Sequence, residues 1–403
     1  MTTAIVIGGG VIGSAAALAL QQRGIATRLV DPDPEWRGAS RGNAGLIAIN
    51  ECDPLASLAT LRAMPGMLFS RGGPVCLPWR EIGTWLPFGL RLIAASGPAR
   101  FAAGRRALGA LLSEALPAWR RLTAEVAVPE LLRERGHYIV WESAETARKG
   151  RSALPADPVT FHDATPDELT TIRSLVRTAT QAVRFEDTAQ IVDLDRLAEA
   201  MAARFAALGG ARLRGRARLD GRGIRLETGE WLEADAVLVA AGPASGEVLR
   251  PLGHRVPIIA ERGYHIQAAA PAWPEDMPSI LFEDRSMFVT RFRTGLRATS
   301  FVEFGRAESP PDPRKWARLR RHAADVGLPF EGPVAEWMGA RPTLPDYLPA
   351  IGRSTRADNV FYAFGHQHLG LTLAAMTGET IAAVVAGEPP ALDLAPFDLD
   401  RFG

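Results

Sequence analysis

The sequence predicts a two-part α/β chain. One part is a discontinuous, Rossmann-type parallel-sheet domain that binds a dinucleotide, and the other is built on a mostly antiparallel sheet. Three observations lead there. A strand–glycine turn–helix–strand unit opens the chain, strands ending in small residues recur near 240 and 360, and strand-like runs joined by tight turns lie between them. At 403 residues the chain exceeds one ordinary core. Its 47% hydrophobic and 23% charged residues are normal for a soluble protein, and a net charge of +1 carries no electrostatic footprint for nucleic acid. No run reaches the ~18 apolar residues of a membrane span, and the N-terminus enters a strand too early for a signal peptide. Cys52 and Cys76 are the only cysteines. They form neither metal spacing nor a disulfide framework, which fits a reducing cytoplasm, and no metal site is expected.

In "AIVIGGGVIGSAAALALQQRGIATRLVD", Ala4–Ile7 reads as a buried strand, Ala15–Gln22 as a helix, and "GIATRLVD" as a second strand. Gly8, Gly10 and Gly13 have GxGxxG spacing. Gly8 permits the tight turn, Gly10 lets backbone approach a pyrophosphate, and Gly13 lets helix and strand pack closely. Val11 and Ile12 stand at the helix N-terminus, whose amides and dipole favour an anion. Asp31, followed by Pro32, ends the second strand where an acid accepts from a ribose hydroxyl. That acid disfavours NADP and leaves FAD and NAD open.

The later strands bear on that choice. "ADAVLVAAGPASG" (234–246) ends in small residues, Ala241 and Gly242 among them, where backbone must pass close to something. "NVFYAFGHQHLGLTLAAMTGETIAAVVAG" (359–387) reads as a strand, a loop bracketed by Gly365 and Gly370, and a helix over Leu371–Gly387. A nucleotide domain made from both ends of a chain implies a large cofactor. Its expected pieces are 1–55, 185–250 and 335–403, with 187–215 supplying a turn, a helix from about Asp195 and a strand. The substrate part takes 56–184 and 251–334. There, helical stretches over 55–135 are broken by Pro65, Pro74, Pro78 and Pro87. "GHYIVWES", "VPIIAERGYHIQAA" and "SILFED" read as strands, and "MFVTRFRTGLRATSFVEFG" as a hairpin turning at "RTG".

"GARPTLPDYLPAIG" (339–352) sets one arginine among prolines and apolar residues. Arg341 has no close acidic neighbour in sequence, since Asp346 lies five residues on across two prolines. A buried guanidinium must be paired, so an external anion is one reading and backbone carbonyls of the loop are the other.

Taken together, these segments resemble a flavoprotein of the D-amino-acid oxidase superfamily, and most of all its bacterial D-amino-acid dehydrogenase branch. The likeness runs end to end. It covers the glycine motif with Asp31, "GASRGNAGLIA" (38–48), "VLVAAGPAS", "VTRFRTGLRATSFVEF", "WMGARPTLPDYLPAIG" and "GHQHLGLTLAAMTG". It implies non-covalent FAD on a domain of the glutathione-reductase kind. Ser40, Asn43, Ala44, Gly45 and Leu46 would contact the flavin. Gly339 and Arg341 would do so from the "RP" segment, and His366, Gln367, Leu369, Gly370, Leu371 and Thr372 from the last loop. Arg341 would also grip a substrate carboxylate, its planar fork suiting bidentate recognition. His368 carries no assignment.

The resemblance further implies oxidative deamination of a D-amino acid, a cyclic one such as D-proline or a hydroxy-D-proline included, with hydride passing from Cα to flavin N5. In "ERGYHIQ", Tyr264 and His265 point to opposite strand faces, so at most one faces substrate. His265 departs from the branch's "KGYS", and Met287 stands where glycine-oxidase-like relatives carry a carboxylate-binding tyrosine. Sarcosine-oxidase-like relatives activate oxygen with a lysine, and only Lys149 and Lys315 occur here. Neither is well placed for that, which favours a quinone or carrier as acceptor. Two alternatives stand beside this reading, a glycine/sarcosine-type oxidase and a non-catalytic flavin subunit. The expected location is cytoplasmic, compatible with peripheral contact at the inner membrane face.

Overall fold

The computed structural model describes residues 2–33, 36–154 and 160–403. The chain runs β1 (Thr3–Ile7), α1 (Val11–Gln22) and β2 (Ala26–Asp31), then three helices, α2 (Leu58–Met67), α3 (Ile82–Ala95) and α4 (Pro98–Glu125). Strands β3 (His137–Trp141) and β4 (Gln181–Phe185), helix α5 (Leu194–Ala207) and strands β5 (Ala211–Arg214) and β6 (Ala236–Val239) follow. Next come β7 (Ile259–Ala269), β8 (Ser279–Phe282), β9 (Met287–Phe292), β10 (Gly295–Gly305) and α6 (Pro313–Val326). The chain finishes with β11 (Glu331–Thr343), β12 (Ala350–Arg353), β13 (Val360–Phe364) and α7 (Gly370–Val385), with shorter elements between.

Two large sheets result, as the sequence predicts. The first has strand order β5-β2-β1-β6-β13-β12 and is parallel except where β12 meets β13. Its central strands are continuous apolar runs because both faces are covered. Helices α1 and α7 lie side by side on one face, and Gly378 is the point of closest approach. A Cβ there would stand 2.7 Å from the Ala15 carbonyl carbon.

The second sheet has order β11-β7-β10-β9-β8-β3-β4, with Phe161–Asp163 beyond β4. These neighbours are antiparallel apart from β8 on β3. The hairpin of β9 and β10 turns at Arg293 and Thr294. Strand β11 pairs with β7 from Glu331 to Thr343, so the antiparallel sheet holds the chain past residue 335 and carries Arg341 with it.

Residues 56–135 differ from expectation in two respects. Pro65 and Pro87 lie inside α2 and α3 rather than ending them, and Pro117 lies inside the 28-residue α4. Each removes one i→i−4 bond, which neighbouring turns and tertiary packing outweigh. Helix α4, within the stretch read as substrate part, packs on the nucleotide side. Leu108, Leu111, Leu112 and Trp119 share the core of α1 and α7, and Trp119 Nε1 donates to the Leu371 carbonyl at 3.0 Å.

Gly378→Ala should push α7 off α1. An overpacked contact of this kind costs about 1–3 kcal/mol, and cofactor retention should fall with it, because the first residues of both helices line the large cavity. Thermal unfolding followed by flavin fluorescence checks this, and an unchanged midpoint would contradict the close packing.

Candidate functional site

The C-terminal ends of β1, β2, β6 and β13 open into one cavity of about 1170 Å³ that continues under the antiparallel sheet. Ordinary single-ligand pockets span roughly 300–1,000 Å³, so a dinucleotide and a small substrate fit together. At the nucleotide end Gly8 has φ +109°, and a Cβ on Gly13 would stand 1.8 Å from the Gly8 carbonyl oxygen. Asp31 accepts from the Gly9 amide at 2.5 Å and from the Asp33 amide at 2.8 Å. Ser40 Oγ accepts from the Val11 amide at 3.0 Å, one of the free donors of the α1 N-terminus. Pro32, Ala241 and Gly242 complete this wall.

Deeper in, Asn43, Ala44 and Leu46 face the start of α7. Thr372 Oγ1 accepts from the Ala48 amide at 3.1 Å, tying the two segments. Gly339, Arg341, His366, Gln367, Leu369, Gly370 and Leu371 also line the cavity. Of the cofactor residues named from the sequence, only Gly13 and Gly45 do not line it. Both act as spacers, Gly45 because a Cβ would meet the Phe292 ring at 2.7 Å. Four buried polar atoms on cavity residues have no partner: Asn50 Oδ1, Thr299 Oγ1, His366 Nδ1 and Gln367 Oε1. Unpaired buried polar atoms are rare in native proteins, so their convergence here marks a surface shaped for a polar ligand. Among the described residues no cluster could hold a metal ion, and neither cysteine lines the cavity.

Arg341 is paired within the chain, which corrects the expectation of an arginine without an acidic partner. Its partner is Glu261, directly opposite it across β7 and β11 and therefore invisible to local sequence. Arg341 Nη1 donates to Glu261 Oε1 at 3.2 Å, and Glu261 Oε2 accepts from Thr343 Oγ1 at 3.1 Å and Tyr347 Oη at 3.2 Å. Glu261 is buried whereas the Arg341 side chain stays 21% exposed. Among the described residues neither Nη2 nor Nε of Arg341 has a hydrogen-bond acceptor. One edge of the fork is thus held and the other is available.

Tyr264 and His265 do point to opposite faces, but neither lines the cavity. Tyr264 lies on the far face of the sheet, where its hydroxyl donates to Glu303 at 3.1 Å and accepts from the Asp312 amide at 3.1 Å. Arg262 and Lys315 complete that buried network around Glu303. His265 lies on the cavity face but under Trp337, stacked at 4.9 Å, with Nδ1 donating to the Gly42 carbonyl at 3.2 Å. Burial, with Arg297 nearby, pushes its pKa down to about 3, so the ring is neutral. It supports Trp337 and the 41–44 loop, which Arg297 also fastens through the Arg41 and Asn43 carbonyls. Met287 is fully buried.

Sequence reasoning missed an ion pair in the cavity. Glu51 and His368 meet at 2.6 Å. Burial pushes the Glu51 carboxyl up, but His368, His137 and Arg341 outweigh it and the net shift is downward. Burial likewise pushes His368 down, and the charge and hydrogen bond of Glu51 outweigh it to raise the imidazole. His137, stacked on Phe185, is lowered to about 4 by burial. Glu283 is raised by burial and Asp284. The spacing of two histidines in "GHQHLG" was the available signal, because a 3-10 turn over Gln367–Leu369 sends the second one to the cavity.

A glycine-turn cradle joined to a larger chamber is the arrangement of an enzyme that works through a bound dinucleotide. The family model of DAO, the FAD dependent oxidoreductases, matches residues 3–384, and the chain belongs to that family. It is 31% identical to the D-amino-acid oxidase of Bradyrhizobium diazoefficiens, covering 98% of both chains. It is 28% identical to D-amino acid dehydrogenase 2 of Ralstonia nicotianae, covering 98% of this chain and 99% of that one. The glycine oxidase structure from Geobacillus kaustophilus superposes with a TM-score of 0.73 at 20% identity, over 100% of this chain and 99% of that one. The protein is therefore an FAD-dependent oxidoreductase, and the glycine cradle, Asp31 and the unpartnered polar atoms fit that cofactor.

Asp31→Ala should weaken FAD binding by about 1.5–3 kcal/mol, the scale of a hydrogen bond to a charged group. Titration of apoprotein with FAD measures it, and unchanged affinity would remove Asp31 from the ribose site. The Glu51–His368 pair makes a pH prediction. A raised histidine contributes fully below its ordinary pKa of 6.5 and loses its contribution as pH rises through the raised value. The lowered carboxyl contributes above 4.5 and loses its contribution as pH falls through the depressed value. The gap in thermal midpoint between the parent protein and Glu51→Gln should accordingly be widest in weakly acidic solution and close toward alkaline pH. A gap independent of pH would contradict the pair.

Proposed function

We propose that the protein oxidises the C–N bond of a D-amino acid, with cyclic D-amino acids such as D-proline in the range of substrates, and passes the electrons to a quinone or carrier. The observation that carries this reading is the half-free guanidinium of Arg341, held by Glu261 at the wall of the FAD chamber. The free edge of the fork takes the substrate carboxylate in two parallel hydrogen bonds. The Glu51–His368 pair faces the same space and receives the amine, its carboxylate accepting from N–H. Leu55, Met67, Phe301 and Val302 form apolar walls that exclude water from the reacting carbon.

FAD, when bound, supplies the acceptor for the hydride of Cα. The protein's part is position and electrostatics. Arg341 fixes the carboxylate, Glu51 the amine and the apolar walls the side chain, which leaves the Cα hydrogen along the one remaining direction. The resulting imine hydrolyses in water or stays cyclic with a ring substrate. Lys149 is exposed on a helix away from the cavity, and Lys315 is buried on Glu303 and Asp312 behind the sheet. Neither reaches the chamber, which supports an acceptor other than oxygen.

Arg341→Lys keeps a cation for Glu261 but loses the fork, so it should preserve fold and FAD. Losing one partner of a desolvated charge pair costs about 2–5 kcal/mol, so kcat/KM for amino acids should fall roughly thirty- to several-thousand-fold. Amines without a carboxylate should be affected far less. A folded, yellow variant with unchanged kcat/KM would overturn the carboxylate role. Turnover with a quinone analogue should exceed peroxide formation in air, and equal rates would make the protein an oxidase.

A further inference from the structure

Phe88 and Leu92 of α3 and the partly buried Leu61 and Met64 of α2 belong to one small cluster with Val75, Ile259, Phe304 and Tyr347. The outer faces of the two helices are apolar too. Leu86, Leu90 and Ile93 form an i, i+4, i+7 stripe on α3 opposite the buried one, with Leu90 61% and Ile93 56% exposed. Trp79, just before α3, is 78% exposed, and the exposed Leu55 and Leu58 lie just before α2 and at its first position. Of the exposed large hydrophobic residues among those described, only Trp231 lies outside this segment. Scattered exposed apolar residues need no explanation, but a contiguous set does.

The charge of the same segment is one-sided. Residues 54–113 contain seven arginines, no lysine and one acid, Glu81. Glu81 is buried and accepts from the Arg306 amide at 2.5 Å. Arg62, Arg71, Arg80, Arg91 and Arg100 are exposed. Among the described residues Arg62, Arg80 and Arg91 make no ion pair, whereas Arg105 is paired with Asp53. An apolar stripe with a tryptophan, fringed by unpaired arginines and with no exposed acid between residues 54 and 113, matches an anionic bilayer in both its layers. The apolar side chains enter the acyl boundary, and the arginines reach lipid phosphate. The only described helix long and apolar enough to span a membrane is the stretch Gln367–Val385, 67% buried in the protein core, so contact is at the surface.

We propose that the outer face of α2 and α3 with Trp79 docks the protein on an anionic lipid bilayer. Leu55 and Met67 belong both to this segment and to the cavity lining, as does Pro74. Docking therefore brings the chamber mouth against the lipid. If the quinone reading of the acceptor holds, a lipid-dissolved quinone enters from the side on which the protein sits.

The test uses FAD-loaded protein and vesicles of phosphatidylcholine with or without phosphatidylglycerol. The protein should sediment with the anionic vesicles, less with neutral ones, and be released by salt. Arg62→Gln/Arg80→Gln/Arg91→Gln should weaken binding on the order of a hundredfold, at roughly a factor of five per arginine. Leu90→Ser/Ile93→Ser should weaken binding to both kinds of vesicle, with turnover on a soluble dye unchanged. A protein that stays in the supernatant with both vesicles overturns the proposal. So does a dimer in light scattering that Leu90→Ser/Ile93→Ser dissociates, since a second copy would then cover the face. Sedimentation without faster turnover on vesicle-borne quinone would leave docking intact and count against the quinone reading alone.

Discussion

Glu261 is a carboxylate sealed inside a sheet, and such a group needs a cation and further donors around it. Arg341 on the next strand, Thr343 two residues on and Tyr347 in the following turn supply them. The pairing register of β7 and β11 is therefore set by charge as well as by apolar pattern. A slip of one residue would turn Arg341 to the face already filled by Arg262, Glu303 and Lys315. Gly263 belongs to the same arrangement, because a Cβ there would meet Arg341 Nη2 at 2.3 Å. What reaches the cavity is a guanidinium with one edge immobilised, and a pre-oriented fork loses little freedom on taking an anion.

The two faces of β7 thus carry two separate electrostatic systems. Glu261, Gly263 and His265 face the chamber, while Arg262 and Tyr264 face the packing of α6. Lys315, fully buried on that reverse side, also lies against the Tyr264 ring at 5.2 Å. The sheet wall behind the chamber is consequently stiff, held by charge-assisted contacts on both sides rather than by apolar packing alone.

Legibility in the sequence followed distance along the chain. That the glycine turn, Asp31 and the 366–372 loop come to one cavity was readable because each is a set of residues a few positions apart, where spacing is itself geometry. Alternation along β7 told correctly that Tyr264 and His265 oppose one another, but not that Trp337, from a strand over seventy residues later, covers His265. The partner of Arg341 and the meeting of Glu51 with His368 depend on pairings that no local pattern encodes. Helical stretches were readable around Pro65 and Pro87, but their running on through both prolines was not, since tertiary packing overrides a local breaking signal.

The central strand β1 sits between β2, its neighbour in sequence, and β6, and β6 in turn needs β13. During synthesis, strands that lie side by side in the finished sheet leave the ribosome more than two hundred residues apart, at about 5–20 residues per second. The N-terminal unit must wait with an open strand edge and an unpacked α1 until α7 arrives. Sheets closed by such remote pairings form slowly and expose aggregation-prone edges meanwhile. Completion of the cradle by α7 makes the flavin a late arrival, so cofactor loading doubles as a report that synthesis has passed Val385.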